Sequence, residues 1–242
     1  MKVYIYKPKE TEFSDDWLYA ADKGFKGLGA KPIYFEDVTT IPYAPDTVVV
    51  GFIEDTRTYF NLHQIEYPKP LNIPEQLNRE WALGREVTNN VSIEEIQKMK
   101  GPLFIKPCDN VKEFAAGVIE NPSKLTSLGI YGDANALVSE TIDMESEYRC
   151  FIYNKELVGM KHYQGNFSKF PKMGVVNSMI KNYTDAPIAY SLDVAVCKNS
   201  IFDTVLVECN DFWSICNYGL DPVIYAKMLR DRWFQLTKYR NF

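Results

Sequence analysis

Residues 206–219 read LVECNDFWSICNYG, and the fold assignment depends on this stretch more than on any other. Alternate residues of a β-strand project from the same face, so Glu208 and Asn210 would present two oxygen ligands side by side. Hard cations such as Mg²⁺ prefer oxygen ligands of this kind. The stretch therefore predicts a strand that carries a candidate metal site.

The preceding sequence predicts a partner for that strand. Asp193 lies in SLDVAV, and a turn near residue 199 separates this run from the strand predicted at 204–209. In an antiparallel hairpin of these two strands, the Asp193 carboxylate would lie across the ladder from Glu208. Three oxygen donors, including Asn210, would then converge. The alternative is that both carboxylates face solvent at the strand ends.

Three cations interrupt other predicted strands. Lys106 ends the apolar run LFIKP, while Arg149 in EYRCFIY and Lys161 in VGMKHYQG lie on the two arms of one predicted hairpin. Cations placed in this way suit the oxygens of a polyphosphate. The alternatives are a lysine that extends to solvent at a strand end, and cross-strand pairing of the hairpin cations with Glu147 or Glu156.

The rest of the chain predicts two kinds of architecture. Apolar alternation near the N-terminus, a helical repeat from Trp17 to Leu28 and the buried run TVVVGF predict a small βαβ-type lobe. Ser92 and Glu95 form a capping box that opens a short helix, and antiparallel hairpins follow it. Asp221, followed by proline, is typical of the start of a terminal helix.

The composition of the 242-residue chain predicts an ordinary soluble globular protein. Hydrophobic residues make up 46% and charged residues 24%, which excludes a disordered or fibrous chain. The net charge of −5, without a basic stripe, argues against general nucleic-acid binding. No apolar run has the length of a membrane helix or a signal peptide, so we expect no membrane partner and a cytoplasmic location. The five cysteines lack CxxC spacing, which predicts buried thiols.

The common local signatures of nucleotide hydrolases, metalloproteases and esterases are missing from the sequence. The chain carries instead an ordered set of charged residues in predicted strands, and this set resembles the ATP-grasp superfamily. More closely, it resembles a compact clade of bacteria and their phages that is marked by one arginine and two lysines. The set consists, in chain order, of Lys106, Glu140, Glu147, Arg149, Lys161, Asp193, Glu208 and Asn210.

The resemblance implies a role for each of these residues. Residues 138–142 would form the hinge whose backbone reads adenine, with Glu140 facing the adenine amino group, and Glu147 would hold the ribose. Arg85 in ALGREV looks like the arginine of the clade. The implied catalytic residues are Arg85, Lys106, Arg149 and Lys161. The implied ATP-binding residues are Lys106, Glu140, Thr141, Ile142, Glu147, Arg149 and Lys161. The implied Mg²⁺ ligands are Asp193, Glu208 and Asn210.

The fold that the resemblance implies is α+β. A small N-terminal lobe over residues 1–84 would precede an ATP-grasp domain over residues 85–242, whose two α+β subdomains hold ATP between antiparallel sheets. Residues 164–187 show little periodicity and exceed the usual length of a loop. They predict either a loop that closes over the acceptor substrate or a mobile surface excursion.

The implied activity is ligation of a carboxylate to an amine, with ATP and Mg²⁺ as cofactors. The carboxylate would form an acylphosphate, which the amine then attacks, and the products would include ADP and phosphate. Such a reaction needs positioning and charge neutralisation more than a base. The substrates are left open as small molecules, peptides or proteins. A module of the same fold that binds ATP or a partner without turnover is the alternative. A third is a purely structural protein whose many aromatic residues form an interaction surface.

Overall fold

A computed structural model describes residues 1–9, 12–77, 87–108, 114–122, 125, 134–198 and 204–237. Within these ranges the chain forms one parallel and two antiparallel sheets, with helices packed against them. The α+β class predicted from the sequence is confirmed. Of the cysteines, Cys216 is exposed and the other four are buried free thiols, largely as the sequence predicts.

The first lobe has the βαβ arrangement that the sequence predicts. Its three strands are parallel, in the order β2–β1–β3. All residues of β3 are buried, which accounts for its unbroken β-branched run. The elements of this lobe are β1 (Lys2–Tyr6), α1 (Asp16–Gly27), β2 (Ile33–Phe35), β3 (Thr47–Val50) and α2 (Ile53–Leu62).

The C-terminal helix α5 (Pro222–Thr237) returns to the first lobe and completes its core. The Asp221 carboxylate caps α5 by accepting hydrogen bonds from the N–H groups of Val223 and Ile224, at 2.9 and 3.0 Å. The helix lies so close to α1 that a Cβ at Gly24 would overlap the Pro222 carbonyl. A helix assigned from sequence to the second domain therefore contributes to the core of the first lobe.

The smaller antiparallel sheet has the order β4–β7–β5–β6. Ser92 and Glu95 form the predicted capping box at the start of α3, and a hydrophobic cluster that includes Ile96 and Ile105 lies beneath the sheet. The predicted domain boundary at residue 84 lies outside the described residues. The elements of this sheet are β4 (Val87–Ser92), α3 (Ile93–Lys98), β5 (Leu103–Pro107), β6 (Gly117–Ile119) and β7 (Asn135–Glu140).

The larger antiparallel sheet consists of β8 (Met144–Tyr153), β9 (Glu156–Gly165), β10 (Ala189–Cys197) and β11 (Thr204–Asp211), in the order β11–β10–β8–β9. Asn154 and Lys155 join β8 to β9 with φ angles of 51° and 63°, as a two-residue hairpin turn requires. The hairpins predicted from sequence are therefore confirmed.

One face of the larger sheet packs against the helix α4 (Met173–Asn182). Val176, Met179 and Ile180 of this helix are buried against the sheet. Their spacing is helical, so this helix could have been predicted from the sequence. The prediction of a long loop over residues 164–187 is therefore wrong where α4 forms. This helix covers the apolar face of the sheet, so the charged residues lie on the opposite face.

Candidate active site

A row of four charged side chains crosses the larger sheet on the face opposite α4. Strand pairing sets Glu208 opposite Asp193, Asp193 opposite Arg149, and Arg149 opposite Lys161. Residues that pair directly across antiparallel strands point to the same face. The row therefore runs from β11 to β9, and the predicted juxtaposition of Asp193 and Glu208 is confirmed.

Arg149 and Asp193 form a buried bidentate ion pair at the centre of this row. Arg149 Nε donates to Asp193 Oδ1 at 2.8 Å, and Arg149 Nη2 donates to Oδ2 at 2.5 Å. The guanidinium also lies over the rings of Tyr163 and Tyr218, at 5.6 and 4.8 Å from their centroids. The carboxylate partner of Arg149 is therefore on β10, and not on its own hairpin as the alternative interpretation had it.

Asn210 joins the two carboxylates of the row, and Lys106 reaches them from the smaller sheet. Asn210 Nδ2 donates to Glu208 Oε1 at 2.8 Å and to Asp193 Oδ2 at 3.1 Å. Lys106 Nζ donates to Glu208 Oε2 at 2.6 Å. We call these residues and Arg149 the central cluster. Its carboxylates bind neighbouring side chains, so the solvent-facing alternative is wrong.

A cavity of about 550 Å³ opens beside the central cluster. Three further parts of the chain contribute to its wall: residues 68–72 of the segment that connects the first lobe to the smaller sheet, residues 114–116 before β6, and residues 213–215 after β11. The cluster members that line it are Lys106, Arg149, Glu208 and Asn210. The site therefore lies where the first lobe and both antiparallel sheets meet.

The protonation of the carboxyls reflects burial and neighbouring charge. Burial raises the pKa of Asp193 above its ordinary value, although Arg149 acts in the opposite direction. Burial alone would also raise the pKa of Glu208, but the charge and hydrogen bond of Lys106, together with the hydrogen bond from Asn210, hold it below the ordinary value. The charge of the nearby Glu147 also raises the pKa of Asp193, so a third carboxylate lies beside the two of the central cluster.

The central cluster contains oxygen donors of the kind that Mg²⁺ prefers. Asp193 and Glu208 supply carboxylate oxygens, and rotation of the Asn210 amide about its χ2 bond would exchange its nitrogen for an oxygen at the same place. Among the described residues, no three Asp, Glu, His or Cys side chains form a metal site by themselves. An Mg²⁺ ion here would therefore use few protein ligands and complete its shell with water and phosphate oxygens, as is usual for this ion.

Glu147 lies near the central cluster and accepts a hydrogen bond from Tyr163 Oη at 2.6 Å. Burial raises the pKa of Glu147 despite this hydrogen bond, and burial together with nearby acids raises the pKa of Tyr163 well above its ordinary value. Tyr163 therefore remains protonated as the donor. The assignment of Glu147 to the ribose stays a prediction.

The remaining residues predicted from the resemblance have no described bond to the central cluster. Glu140 and Thr141 are exposed at the end of β7, and Ile142 packs against a small apolar cluster on β10 and β11. Lys161 belongs to the charged row only through the pairing of its strand position with Arg149. Arg85 lies outside the described residues. The roles assigned to these residues stay predictions.

Three residues at this site were not predicted from the sequence. Tyr163 could have been found, because it lies two residues beyond Lys161 on the same strand. Tyr218, which covers Arg149 from the loop after β11, gave no local signal. Asn72 holds a φ of 51°; its carbonyl accepts from Cys209 N at 2.7 Å, and its amide donates to the Cys108 carbonyl at 3.2 Å. Asn72 thus connects this segment by hydrogen bonds to both antiparallel sheets.

Comparison with protein families gives a match to the ATP-grasp domain, R2K clade family 2, over residues 83–228. This range covers more than half of the chain and includes the whole of the central cluster. A search of curated proteins gives no match. No described helix is both long and apolar enough to span a membrane.

Solved structures with a similar fold come from several bacteria, all at low sequence identity. A RimK domain ATP-grasp protein from Sphaerobacter thermophilus is 13% identical, with a TM-score of 0.51 over 96% of this chain and 99% of that one. D-alanine–D-alanine ligase from Bacillus anthracis is 11% identical, with a TM-score of 0.54 and coverages of 97% and 96%. N5-carboxyaminoimidazole synthetase from Staphylococcus aureus, complexed with ADP, is 6% identical, with a TM-score of 0.58 and coverages of 95% and 77%. The predicted fold is confirmed.

Proposed function

The chain belongs to the R2K clade of the ATP-grasp family. We propose that it is a ligase that joins a carboxylate to an amine. The cofactors of the family are ATP and Mg²⁺. One observation carries the proposal: Lys106 from the smaller sheet lines a single cavity together with Arg149 and Glu208 from the charged row of the larger sheet. Amide-forming neighbours such as D-alanine–D-alanine ligase support the reaction class through fold alone.

The proposed roles follow from the chemistry of each side chain. Asp193, Glu208 and Asn210 would hold Mg²⁺, which supplies charge neutralisation at the phosphates of ATP when bound. Lys106 and Arg149 now pair with these carboxylates, at 2.6 and 2.5 Å. Both cations line the cavity, where part of their hydrogen-bonding capacity could serve phosphate oxygens. Their pairing with the carboxylates fixes their positions beside the cavity.

In the proposed reaction, a carboxylate oxygen of the substrate attacks the γ-phosphorus of ATP, and the bond to the ADP oxygen breaks. The resulting acylphosphate is attacked at its carbonyl carbon by an amine, which expels phosphate and releases a proton. None of these steps needs a strong base, since positioning and charge stabilisation supply most of the acceleration in phosphoryl transfer. The cavity walls would keep water from the acylphosphate.

ADP release measured against a panel of carboxylates and amines tests this proposal. Wild-type protein with Mg²⁺ and ATP should release ADP only with a productive pair, and Lys106→Met and Glu208→Gln should each abolish this release. Lys98→Met is the matched control, because Lys98 is exposed on α3, forms an ion pair with Glu94 and lies outside the cavity wall. Tight Mg²⁺-dependent ATP binding without ADP release from any pair would favour the non-catalytic module instead.

A further inference from the structure

One cation in the cavity has no described partner. Of the three basic residues in its wall, Lys106 pairs with Glu208 and Arg149 pairs with Asp193. Lys69 is the third; it lies on the segment connecting the first lobe to the smaller sheet, and no described residue bonds to it. An unpaired ammonium beside a cavity is suited to an anionic group of a ligand.

Lys69 is exposed, and four apolar side chains line the same cavity. Ile53 and Leu71 line the cavity together with Trp213 and Ile215. Such a wall gains free energy when it buries an apolar group of a ligand, and it offers little to a phosphate or a ribose.

This apolar wall is held rigidly by the first lobe. Trp213 is only 6% exposed and packs edge-on against Tyr67, with ring centroids 5.2 Å apart. Tyr67 in turn accepts a hydrogen bond from Arg57 Nε at 3.1 Å. The next residue, Ser214, donates to the Gly51 carbonyl at 3.2 Å. A wall fixed in this way needs little ordering when a ligand binds.

We propose that this cavity binds the carboxylate substrate, that Lys69 pairs with the carboxylate of the substrate, and that Ile53, Trp213 and Ile215 contact an apolar side chain of the substrate. The inference rests on the proposed ligase function and narrows its substrate class. That class is an α-carboxylate with an apolar side chain, as in an N-acylated amino acid or at the C-terminus of a peptide. Lys69 is then the specificity-determining residue for the anionic group.

Calorimetric titration tests the inference with two probes, N-acetylphenylalanine and its uncharged amide. Each is titrated into the full chain saturated with Mg²⁺ and ADP. In the wild type, the acid should bind about tenfold more tightly than the amide, which corresponds to one charge-assisted hydrogen bond. In Lys69→Met the acid and the amide should bind alike. Lys31→Met, at an exposed position before β2 outside the cavity wall, should behave as the wild type.

Three results would overturn the inference: equal binding of acid and amide in the wild type, a preference for the acid that survives in Lys69→Met, or no binding of either probe. A further comparison separates the substrate from the γ-phosphate as the anion that Lys69 binds. Lys69→Met should bind a non-hydrolysable ATP analogue and ADP as the wild type does, and loss of affinity for the analogue alone would assign Lys69 to the nucleotide. Failure of wild-type protein to bind Mg²⁺ and ADP would refute the proposed function itself.

Discussion

Replacing Arg149 by methionine should strongly destabilise the protein, because Arg149 is the bidentate partner of a fully buried carboxylate. Asp193 is 0% exposed, and both of its oxygens accept hydrogen bonds from Arg149. Removing one partner of a buried ion pair leaves an uncompensated charge, at a cost of about 3–5 kcal/mol. The expected loss is therefore a large part of the stability of a typical domain.

Adding Asp193→Asn to the Arg149→Met variant should recover much of the lost stability, because the double variant no longer buries an unpaired carboxylate at position 193. Asn210 would still have an oxygen to which it can donate at this position. The expected order of stability is thus wild type, then the double variant, then the single variant. This order distinguishes the cost of an unpaired charge from the mere loss of side-chain packing.

Urea unfolding in the presence of EDTA, followed by tryptophan fluorescence, measures these differences without bound metal. Lys98→Met is the control, because the Lys98–Glu94 pair is 70% and 80% exposed and should contribute nothing measurable. A loss below about 1 kcal/mol for Arg149→Met, which is the range of surface pairs, would show that the buried Asp193 charge does not need this partner. A double variant no more stable than the single one would contradict the expected order of stability.

Three further predictions concern other parts of the fold. Gly24→Ala should lower the free energy of unfolding in urea by about 1–3 kcal/mol, because the added Cβ would overlap the Pro222 carbonyl. Gly174→Ala on α4 is the control and should cause no loss, since no atom lies within 4 Å of its added Cβ. Asp221→Ala should cost about 1 kcal/mol in the same assay through loss of the α5 cap, and an unchanged midpoint would contradict this. Burial raises the pKa of Glu147, so the folded state keeps a proton that the unfolded state releases, and the free energy of unfolding falls as the pH rises above the ordinary value of 4.5. The melting temperature should therefore fall over this pH range, and Glu147→Gln should make the fall shallower. An unaltered slope of melting temperature against pH would exclude Glu147 as the cause.

Much of the fold could be predicted from local signals. Alternation and turn residues predict the hairpins of the larger sheet, and the capping residues at Ser92 and Asp221 mark two helix starts that the structure confirms. The helix α4 was missed although Val176, Met179 and Ile180 carry a helical period, because the polar residues around them resemble a loop. The return of α5 to the first lobe could not be predicted, since it depends on contacts between the two ends of the chain.

The candidate site could be predicted where strand periodicity applies and not elsewhere. The alternation of Glu208 and Asn210 and their pairing with Asp193 follow from the period of a strand. The pairing of Arg149 with Asp193 needs the strand order β10–β8, which joins residues 44 positions apart, and no local pattern contains it. Lys69 lies between two prolines in a segment without secondary structure. Neither strand periodicity nor strand pairing could therefore predict its position in the cavity wall.

A crystal structure of the protein with Mg²⁺ and a non-hydrolysable ATP analogue would show whether the central cluster is the ATP site. We expect a metal ion bound by Asp193, Glu208 and Asn210, with the triphosphate in contact with Lys106 and Arg149. A nucleotide bound elsewhere, or a triphosphate whose metal does not contact Glu208, would contradict the assignment of this cluster as the ATP site.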